Sequence, residues 1–310
     1  MAPRILTLTL NPAVDIASTT ARVRPEHKLR TTGAQYDPGG GGVNVARVIH
    51  DLGGHARALI LVGGATGLLY EELLGAHGVP YTAIPIRGRT RVALNVRESE
   101  TGQEYRFVPE GPEVAADEWQ AVLAELETTE AGWVVASGSL PRGVPDDFYA
   151  QAAAIARRRG QKFVLDCSGP PLKAALAWGI TLAKPSLREF ESLVGHALPD
   201  APAQQDAARS LLRDGAAEML VVSLGREGAM LATGQGITRL SAPDVAVQSA
   251  VGAGDSFIAG MTLALARGDN PGIAFAHGVA TGAAAVTSAG TAHPDPALAA
   301  QLFRRLTSAA

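Results

Sequence analysis

Short apolar runs alternate with longer amphipathic stretches along most of the chain. Apolar runs typical of buried strands occur at residues 4–10, 56–62, 133–136, 162–165, 182–183 and 219–222. Helical patterns occur at residues 39–52, 68–77, 148–159, 187–194, 205–214, 256–266 and 272–289. Because alternating strands and helices form a parallel sheet with helices on both faces, this pattern predicts an α/β fold.

Two regions depart from this alternation and predict a second, smaller sheet. Residues 90–96 and 103–108 alternate apolar and polar positions around a polar turn at 99–102, which is typical of a β-hairpin. The stretch 12–36 is polar and compatible with strands. We expect segments 12–36 and 88–110 to form a lid that stands over one edge of the main sheet.

The composition is that of an ordinary globular protein, and we expect one domain over residues 1–310. A net charge of -3 gives no overall attraction to nucleic acid or to an anionic membrane, so any anion site has to be local. The single cysteine, Cys167, excludes a disulfide framework and is typical of a reducing compartment. With no signal-peptide pattern and no apolar run near the roughly 20 residues of a membrane span, we expect a cytoplasmic protein.

Four polar or glycine-rich clusters follow strands or turns, and ligands bind at the carboxyl ends of strands in parallel sheets. They lie at residues 11–15, 39–44, 137–141 and 249–260. Each of them alone is compatible with an ordinary turn or helix cap. Four of them in one α/β sheet favour a binding site.

The last cluster contains Val251-Gly-Ala-Gly-Asp255, a glycine turn at the start of a buried helix. Such a turn leaves backbone N–H groups unpaired at the positive end of the helix dipole, which attracts anions. A carboxylate at this position is suited to take a proton from a hydroxyl beside a phosphate. The alternative is that Asp255 only caps the helix.

Several motifs are absent from the sequence, and their absence narrows the function. There is no Gly-x-x-x-x-Gly-Lys-Ser/Thr phosphate loop, and no Gly-x-Gly-x-x-Gly follows the first strand. A P-loop kinase is therefore excluded, and a dinucleotide-dependent dehydrogenase is disfavoured. The seven histidines include no His-x-x-x-His pair, so any metal should be a hard ion held by oxygen ligands.

Two signatures, Gly39-Gly-Gly-Gly-Val-Asn-Val-Ala-Arg47 and Val251-Gly-Ala-Gly-Asp-Ser256, resemble those of the ribokinase-like (PfkB-type) carbohydrate kinases. The resemblance extends over nearly the whole chain and has the spacing that the family uses. It implies a three-layer sandwich with a mostly parallel central sheet and a small β-sheet lid.

Within this family the chain is most similar to the minor 6-phosphofructokinases. The features that carry this similarity are residues 25–30, the glycine at position 41, and residues 63–67, 105–108 and 137–141. Related fructose-1-phosphate and tagatose-6-phosphate kinases typically carry lysine within the glycine run, which in this chain is residues 39–42. Asn11 and Pro12, however, are closer to those relatives, so tagatose 6-phosphate and fructose 1-phosphate stay open as alternative substrates.

The resemblance implies ATP-dependent phosphorylation of fructose 6-phosphate at O1. Asp255 would be the general base, and the backbone at Gly252, Ala253 and Gly254 would form an anion hole for the transferred phosphoryl group. The residues implied for the sugar phosphate are Asp15, Lys28, Arg30, Gly39, Gly40, Asn44, Arg91 and Ser139. Those implied for ATP are Lys184, Ser186, Ser223, Gly225, Gly228, Ser249 and Val251.

The resemblance also implies magnesium, bridged to the ATP phosphates through waters and associated with Glu189. The family places an Asn-x-x-Glu motif here, whereas this chain has Ser186 in place of the asparagine. Residues 288–292 lack the asparagine and arginine of the family's potassium loop, so a K⁺ requirement stays open.

The sequence leaves two other functions open beside the kinase, and it also predicts a dimer. A nucleotide- or sugar-phosphate-binding regulator would keep the fold without the chemistry, and a dehydrogenase would bind NAD. We expect a homodimer formed through the lid, because a small sheet is marginal alone and gains by packing against its copy.

Overall fold

The computed structural model describes residues 4–288 and 294–308, and its largest element is a twisted sheet. Nine strands of the described residues form this sheet. From one edge to the other they are Gly236–Leu240 (β13), Ala229–Thr233 (β12), Ala217–Ser223 (β11), Ile180–Ala183 (β10), Lys162–Asp166 (β9), Trp133–Ser137 (β8), Arg4–Thr9 (β1), His55–Val62 (β4) and Tyr81–Pro85 (β5).

Seven of these strands, from β11 to β5, run parallel to one another. Strands β12 and β13 run antiparallel at one edge. In the centre of the sheet, Leu8 of β1 lies opposite Leu59 of β4 on one side and Ala136 of β8 on the other. The predicted parallel sheet is therefore confirmed.

Helices cover both faces of this sheet. They are Gly41–Asp51 (α1), Gly64–Ala76 (α2), Ala116–Thr128 (α3), Phe148–Arg158 (α4), Gly169–Trp178 (α5), Leu187–Val194 (α6), Ala201–Arg213 (α7), Ala253–Arg267 (α8), Pro271–Ala285 (α9) and Pro296–Ser308 (α10). None of them is long and apolar enough to cross a membrane, within the residues described.

Alternation along the strands divides the core into two layers. Leu6 and Leu8 point to one face of the sheet, where they join a buried cluster that includes Phe148 of α4. Ile5 points to the other face and joins a cluster that includes Ile49 of α1 and Phe257 of α8. Helix, sheet and helix thus form the three layers that the sequence implied.

A second sheet is built from the two segments predicted as a lid. Its strands, in spatial order, are Thr32–Gly39 (β3), Ala13–Thr20 (β2), Arg91–Glu98 (β6) and Glu104–Phe107 (β7). Strands β2 and β6 are parallel, whereas the two outer pairs are antiparallel. The predicted hairpin at 90–108 is confirmed, and strand β3 continues to Gly39, three residues beyond the predicted segment.

Some boundaries differ from the sequence prediction. Strand β5 and helices α3, α5 and α10 were not predicted at all. Helix α9 ends at Ala285 rather than at residue 289. Helix α8 begins at Ala253, so Asp255 lies inside its first turn and not before the helix.

Candidate active site

The carboxyl ends of the central strands converge with the first turns of helices α1 and α8. Helix α1 begins after Gly40, at a φ of 129°, and α8 begins after Gly252, at a φ of 75°. Backbone at these angles favours glycine. Neither helix has a side chain hydrogen-bonded across its first turn as a cap, so backbone N–H groups at both termini are left for a ligand.

Asp255 lies between two hydrogen-bond donors in this region. The side-chain amide of Asn44 donates to its Oδ2 at 3.0 Å, and the hydroxyl of Ser137 donates to its Oδ1 at 3.0 Å. Burial, reinforced by the charge of Asp166, raises the pKa of Asp255 to about 6, although the two donors oppose the shift. The side chain is thus oriented and remains a base at neutral pH.

Asp255 does not cap its own helix through the N-cap position, which belongs to Gly252. The first backbone bond within α8 runs from the N–H of Ser256 to the carbonyl of Gly252 at 2.9 Å. The N–H groups of Ala253, Gly254 and Asp255 precede this bond and have no acceptor within the helix. An anion at this terminus would therefore meet three backbone donors.

The glycine run allows several side chains to approach the backbone closely. A Cβ atom added to Gly39 would overlap the carboxylate of Asp15, and one added to Gly41 would overlap the hydroxyl of Ser137. Tyr70 is fully buried and donates its hydroxyl proton to the carbonyl of Gly39 at 2.9 Å. The run is thereby fixed between Asp15 on one side and Ser137 on the other.

Asp15 faces a pocket between the second sheet and the start of α8. Asp37, Asn95, Arg106 and Val251 also line this pocket. Burial raises the pKa of Asp15 to about 6, and the nearby guanidinium groups, Arg106 foremost, oppose the shift. A carboxylate beside a cation suits a ligand that carries both hydroxyl groups and negative charge.

The basic residues implied for the sugar phosphate have different surroundings. Lys28 and Arg30 are exposed in the loop between β2 and β3. Arg91 instead donates to two backbone carbonyls, that of Pro109 at 2.7 Å and that of Asn11 at 2.8 Å. Arg91 therefore ties the second sheet to the end of β1, in addition to any contact with a ligand.

Ser139 lies in the loop after β8, where its hydroxyl accepts a hydrogen bond from the Asn11 amide at 3.3 Å. The same amide donates to the carbonyl of Glu110 at 2.9 Å. Asn11 therefore joins the loop after β8 to the segment that follows the hairpin. Its Oδ1 is buried without a partner in the described structure.

An ion pair lies beside the glycine turn at the start of α8. Lys184 is buried, and its Nζ is 3.1 Å from Oδ2 of Asp166. A Cβ atom added to Gly254 would lie 3.3 Å from that Nζ, so the ammonium group adjoins the first turn of α8. Burial raises the pKa of Asp166, and Lys184 partly offsets the increase.

Ser186 and Glu189 form a capping box at the start of α6. The backbone N–H and the hydroxyl of Ser186 both donate to Oε2 of Glu189, at 2.7 and 2.8 Å. Ser186 is therefore the helix N-cap, and only Oε1 of Glu189 is left for a further interaction among the bonds described. The free Oε1 of Glu189 and the nearby carboxylate of Asp166 are hard oxygen ligands, which suit a hydrated divalent ion.

No group of three or more His, Cys, Asp or Glu side chains gathers around one point in residues 4–288 and 294–308. A fully protein-coordinated metal site is therefore not present in that part of the chain. The segment considered for potassium, 288–292, lies outside the described residues except for Ser288.

The residues implied for ATP line the carboxyl ends of β10 and β11 and the segment before α8. Ser223 donates its backbone N–H to the carbonyl of Pro185 at 3.1 Å, which places it next to Ser186. Gly225 begins a short 3₁₀ turn and Gly228 follows it, with positive φ angles of 61° and 100°. Ser249 accepts a hydrogen bond from the N–H of Val251 at 3.2 Å.

The sequence prediction missed Asp166, and it gave no role to Arg106 or to Ser137, although Ser137 lies in the predicted cluster at 137–141. Ser137 and Asp166 are the last residues of β8 and β9. Because ligands bind at the carboxyl ends of parallel strands, this position in the sequence indicates both residues. Arg106 was quoted within a family motif but was given no role. Its proximity to Asp15 follows from strand pairing, which the sequence does not specify.

Comparison with known proteins places the chain in one family. The model of the family described as "pfkB family carbohydrate kinase" matches residues 8–298. ATP-dependent 6-phosphofructokinase isozyme 2 of Mycobacterium tuberculosis is 46% identical over 292 residues, which are 94% of this chain and 86% of that protein. The enzyme of the same name from Escherichia coli is 40% identical over 290 residues, 93% of this chain and 94% of its own.

Solved structures of phosphofructokinase-2 from Escherichia coli superpose over 98% of this chain and 99% of theirs. One, in complex with fructose-6-phosphate, is 37% identical with a TM-score of 0.93. Others are a complex with potassium, with a TM-score of 0.95, and a tetrameric inhibited form, with a TM-score of 0.92. The resemblance inferred from the two glycine signatures is confirmed: this chain belongs to the pfkB family of carbohydrate kinases.

Proposed function

We propose that this protein transfers the γ-phosphoryl group of ATP to O1 of fructose 6-phosphate, giving fructose 1,6-bisphosphate and ADP. The observation that carries the proposal is the geometry of Asp255. It is a half-buried base held by two donors in the first turn of a helix whose terminal N–H groups have no acceptor among the described residues. The fructose-6-phosphate complex of the Escherichia coli relative supports the choice of sugar.

The proton and the phosphoryl group move in opposite directions in this mechanism. Asp255 takes the proton of the O1 hydroxyl as that oxygen bonds to the γ-phosphorus, and the bond from phosphorus to the ADP oxygen breaks. The N–H groups of Ala253, Gly254 and Asp255 stabilise the charge on the transferred group. Removing one such donor from an oxyanion hole typically costs about 10²–10³ in kcat.

The sugar is held by groups on the glycine run and on the second sheet. Asn44 uses its amide nitrogen on Asp255, and its buried Oδ1 has no partner in the described structure, which leaves an acceptor for a sugar hydroxyl. Asp15 provides a second acceptor. We assign the 6-phosphate to Lys28, Arg30 and Arg106, because a doubly charged phosphate requires several cations.

The nucleotide lies over the ends of β10 and β11 in this proposal, with its phosphates directed towards Gly252 and Lys184. Glu189, through the carboxylate oxygen that the capping box leaves free, would hold magnesium by way of waters. When bound, the ion neutralises phosphate charge. Ser186 replaces the family asparagine and is engaged in the capping box, so we assign it to the support of Glu189 rather than to direct binding of the ion.

A substrate panel with purified protein tests the choice of sugar. We expect kcat/KM on fructose 6-phosphate to exceed the values on tagatose 6-phosphate and fructose 1-phosphate, measured as ADP production with magnesium and ATP. A preference of more than about tenfold, or 1.4 kcal/mol, for either alternative would overturn the assignment. The 1-phosphate is the more distant alternative, because its phosphate occupies the position that must react.

The alternative function is a ligand-binding regulator that catalyses no reaction, and in such a protein Asp255 would have no catalytic role. It predicts thermal stabilisation by ATP and fructose 6-phosphate together with no ADP production. Measuring thermal stabilisation and ADP production on the same protein preparation distinguishes the regulator from the kinase. Absence of stabilisation by NAD would close the dehydrogenase alternative.

The second sheet also supports the homodimer. Strand pairing aligns Tyr36, Ile16, Leu94 and Phe107 in one row across its four strands. Tyr36, Leu94 and Phe107 are 49%, 43% and 56% exposed. By alternation this row is on the face opposite Asp15, and we propose that it packs against the same row of a second copy. The tetrameric inhibited form of the Escherichia coli relative shows that this family member forms larger assemblies.

A further inference from the structure

We propose that Ser137 is a positioning residue for Asp255 and that position 41 has to be glycine because Ser137 occupies the space of its side chain. This inference rests on the proposed function, since it concerns the base of that reaction. It adds a residue and a coupled pair to which neither the family signatures nor the sequence analysis gave a role.

The position of Ser137 suits this role. It is the last residue of β8, it is 3% exposed, and its hydroxyl proton is directed to Oδ1 of Asp255 at 3.0 Å. Asn44 holds the other oxygen from helix α1 at 3.0 Å. Because the two donors come from different elements, together they fix the rotation of the carboxylate. Each oxygen keeps a second lone pair, so the carboxylate can still accept the sugar's proton.

The hydroxyl also affects the charge of Asp255. The groups that face this carboxylate are Asp166, which disfavours its ionised form, and Asn44, Ser137 and Lys184, which favour it. Burial has the largest effect and disfavours ionisation. Loss of the Ser137 donor therefore shifts the titration of Asp255 upward and reduces the fraction of base at neutral pH.

Gly41 explains why this arrangement depends on the glycine run. A Cβ atom at position 41 would overlap the Ser137 hydroxyl oxygen, lie 2.8 Å from the Cβ of Ser137 and lie 3.0 Å from Oδ1 of Asp255. A side chain at position 41 therefore requires Ser137 to move or to lose both its hydroxyl and its Cβ.

The first test is the Ser137→Ala variant, compared with Ser168→Ala as a control in the segment after β9. We expect the acid limb of the kcat profile to move up by about one pH unit in Ser137→Ala, the range expected for losing one hydrogen bond to a charged group. At pH 8.5 most of the kcat should return, whereas KM for ATP stays unchanged. Ser168→Ala should match the wild type, and an unshifted acid limb in Ser137→Ala would overturn the positioning role.

A direct titration keeps this test independent of the reaction. The carboxyl carbon of Asp255, assigned by its loss in Asp255→Asn, is followed by ¹³C NMR in ¹³C-aspartate-labelled protein without substrate. The pKa should be higher in Ser137→Ala than in the wild type. If the wild type phosphorylates no sugar phosphate, the proposed function fails while this titration still decides the inference; equal pKa values in the two proteins would overturn it.

The coupled pair is tested by a double substitution. Gly41→Ala should lower kcat/KM by at least about tenfold, because the added methyl displaces Ser137 or Asp255. Combining it with Ser137→Gly, which removes both overlapping atoms, should recover most of the kcat/KM of Ser137→Gly alone. A double variant no better than Gly41→Ala, with both proteins folded by circular dichroism, would contradict the pairing.

Discussion

Two half-buried carboxylates control the response of the site to pH. Burial raises the pKa of both Asp255 and Asp15 to about 6, and in the proposed reaction both act as acceptors in the ionised form. We therefore expect kcat/KM to fall below pH 6, with a slope steeper than one proton because both groups titrate in the free enzyme. A profile measured from pH 5 to 9 checks this, and a flat profile down to pH 5 would contradict it.

The same shift of Asp255 has a consequence for stability. The carboxyl binds its proton more tightly in the folded chain, with a pKa of about 6, than in the unfolded chain, at 3.8. Its ionisation thus lowers the free energy of unfolding as pH rises from about 4 to 6, and the penalty persists above that range. At 1.36 kcal/mol for each pH unit, the penalty is at most about 3 kcal/mol.

Replacing Asp255 by asparagine should remove this penalty. We expect Asp255→Asn to be at least as resistant to urea as the wild type at pH 8, with the difference disappearing at pH 4. Asn keeps one oxygen as an acceptor for Ser137 or Asn44, so the local structure is retained. A variant markedly less stable at pH 8 would show that the carboxylate itself supports the fold.

At the scale of elements, the glycine run determines how closely helix α1 packs on strand β1. A Cβ atom added to Gly42 would overlap the carbonyl oxygen of Leu8 and lie 2.5 Å from Oγ1 of Thr9. Gly42→Ala should therefore destabilise the protein by about 1–3 kcal/mol or more, since backbone cannot move aside cheaply. Its matched control is Gly75→Ala in helix α2, where nothing lies within 4 Å of the added atom.

The control substitution, Gly75→Ala, should change the free energy of unfolding in the opposite direction. Gly75 is exposed in a helix, so alanine should stabilise the protein by about 0.5–1 kcal/mol through helix propensity. Urea unfolding of the two variants beside the wild type measures both effects. Equal stability of Gly42→Ala and Gly75→Ala would contradict the close packing of α1 on β1.

The elements that the sequence predicted are those with strong patterns, and the missed ones lack such patterns. Strand β5 is only half-buried and ends in Pro85, so its alternation of apolar and polar positions is weak. Helix α5 begins with Gly169-Pro-Pro, which resembles a turn, although proline is tolerated in a first helical turn. Helix α3 buries only Glu118, Val122 and Leu126, which leaves a narrow apolar stripe.

At the scale of the whole molecule, the site depends on contacts between distant positions. Asp255 is 211 residues from Asn44 and 118 from Ser137 along the chain. The sequence indicated Asp255 and Asn44 through motifs, but their hydrogen bond, and the choice of Ser137 over Ser139 as its second donor, require the order of strands in the sheet. Arg106 likewise reaches Asp15 only because β6 pairs with both β2 and β7.

Assembly is the second property at this scale. We expect the wild type to sediment as a dimer or a larger even assembly, and Leu94→Lys to dissociate the lid contact by placing a charge within the apolar row. Leu68→Lys is the matched control, because Leu68 is 71% exposed on helix α2, outside the row. A monomeric wild type, or equal sedimentation of wild type and Leu94→Lys, would contradict the proposed interface.

The turnover number of Asp255→Asn on fructose 6-phosphate, measured at saturating ATP and magnesium, tests the central claim most directly. A general base contributes about 10²–10⁴ in rate, so kcat should fall by that factor while the protein remains folded and still binds ATP. Turnover of the Asp255→Asn protein at the wild-type rate would contradict the assignment of Asp255 as the base.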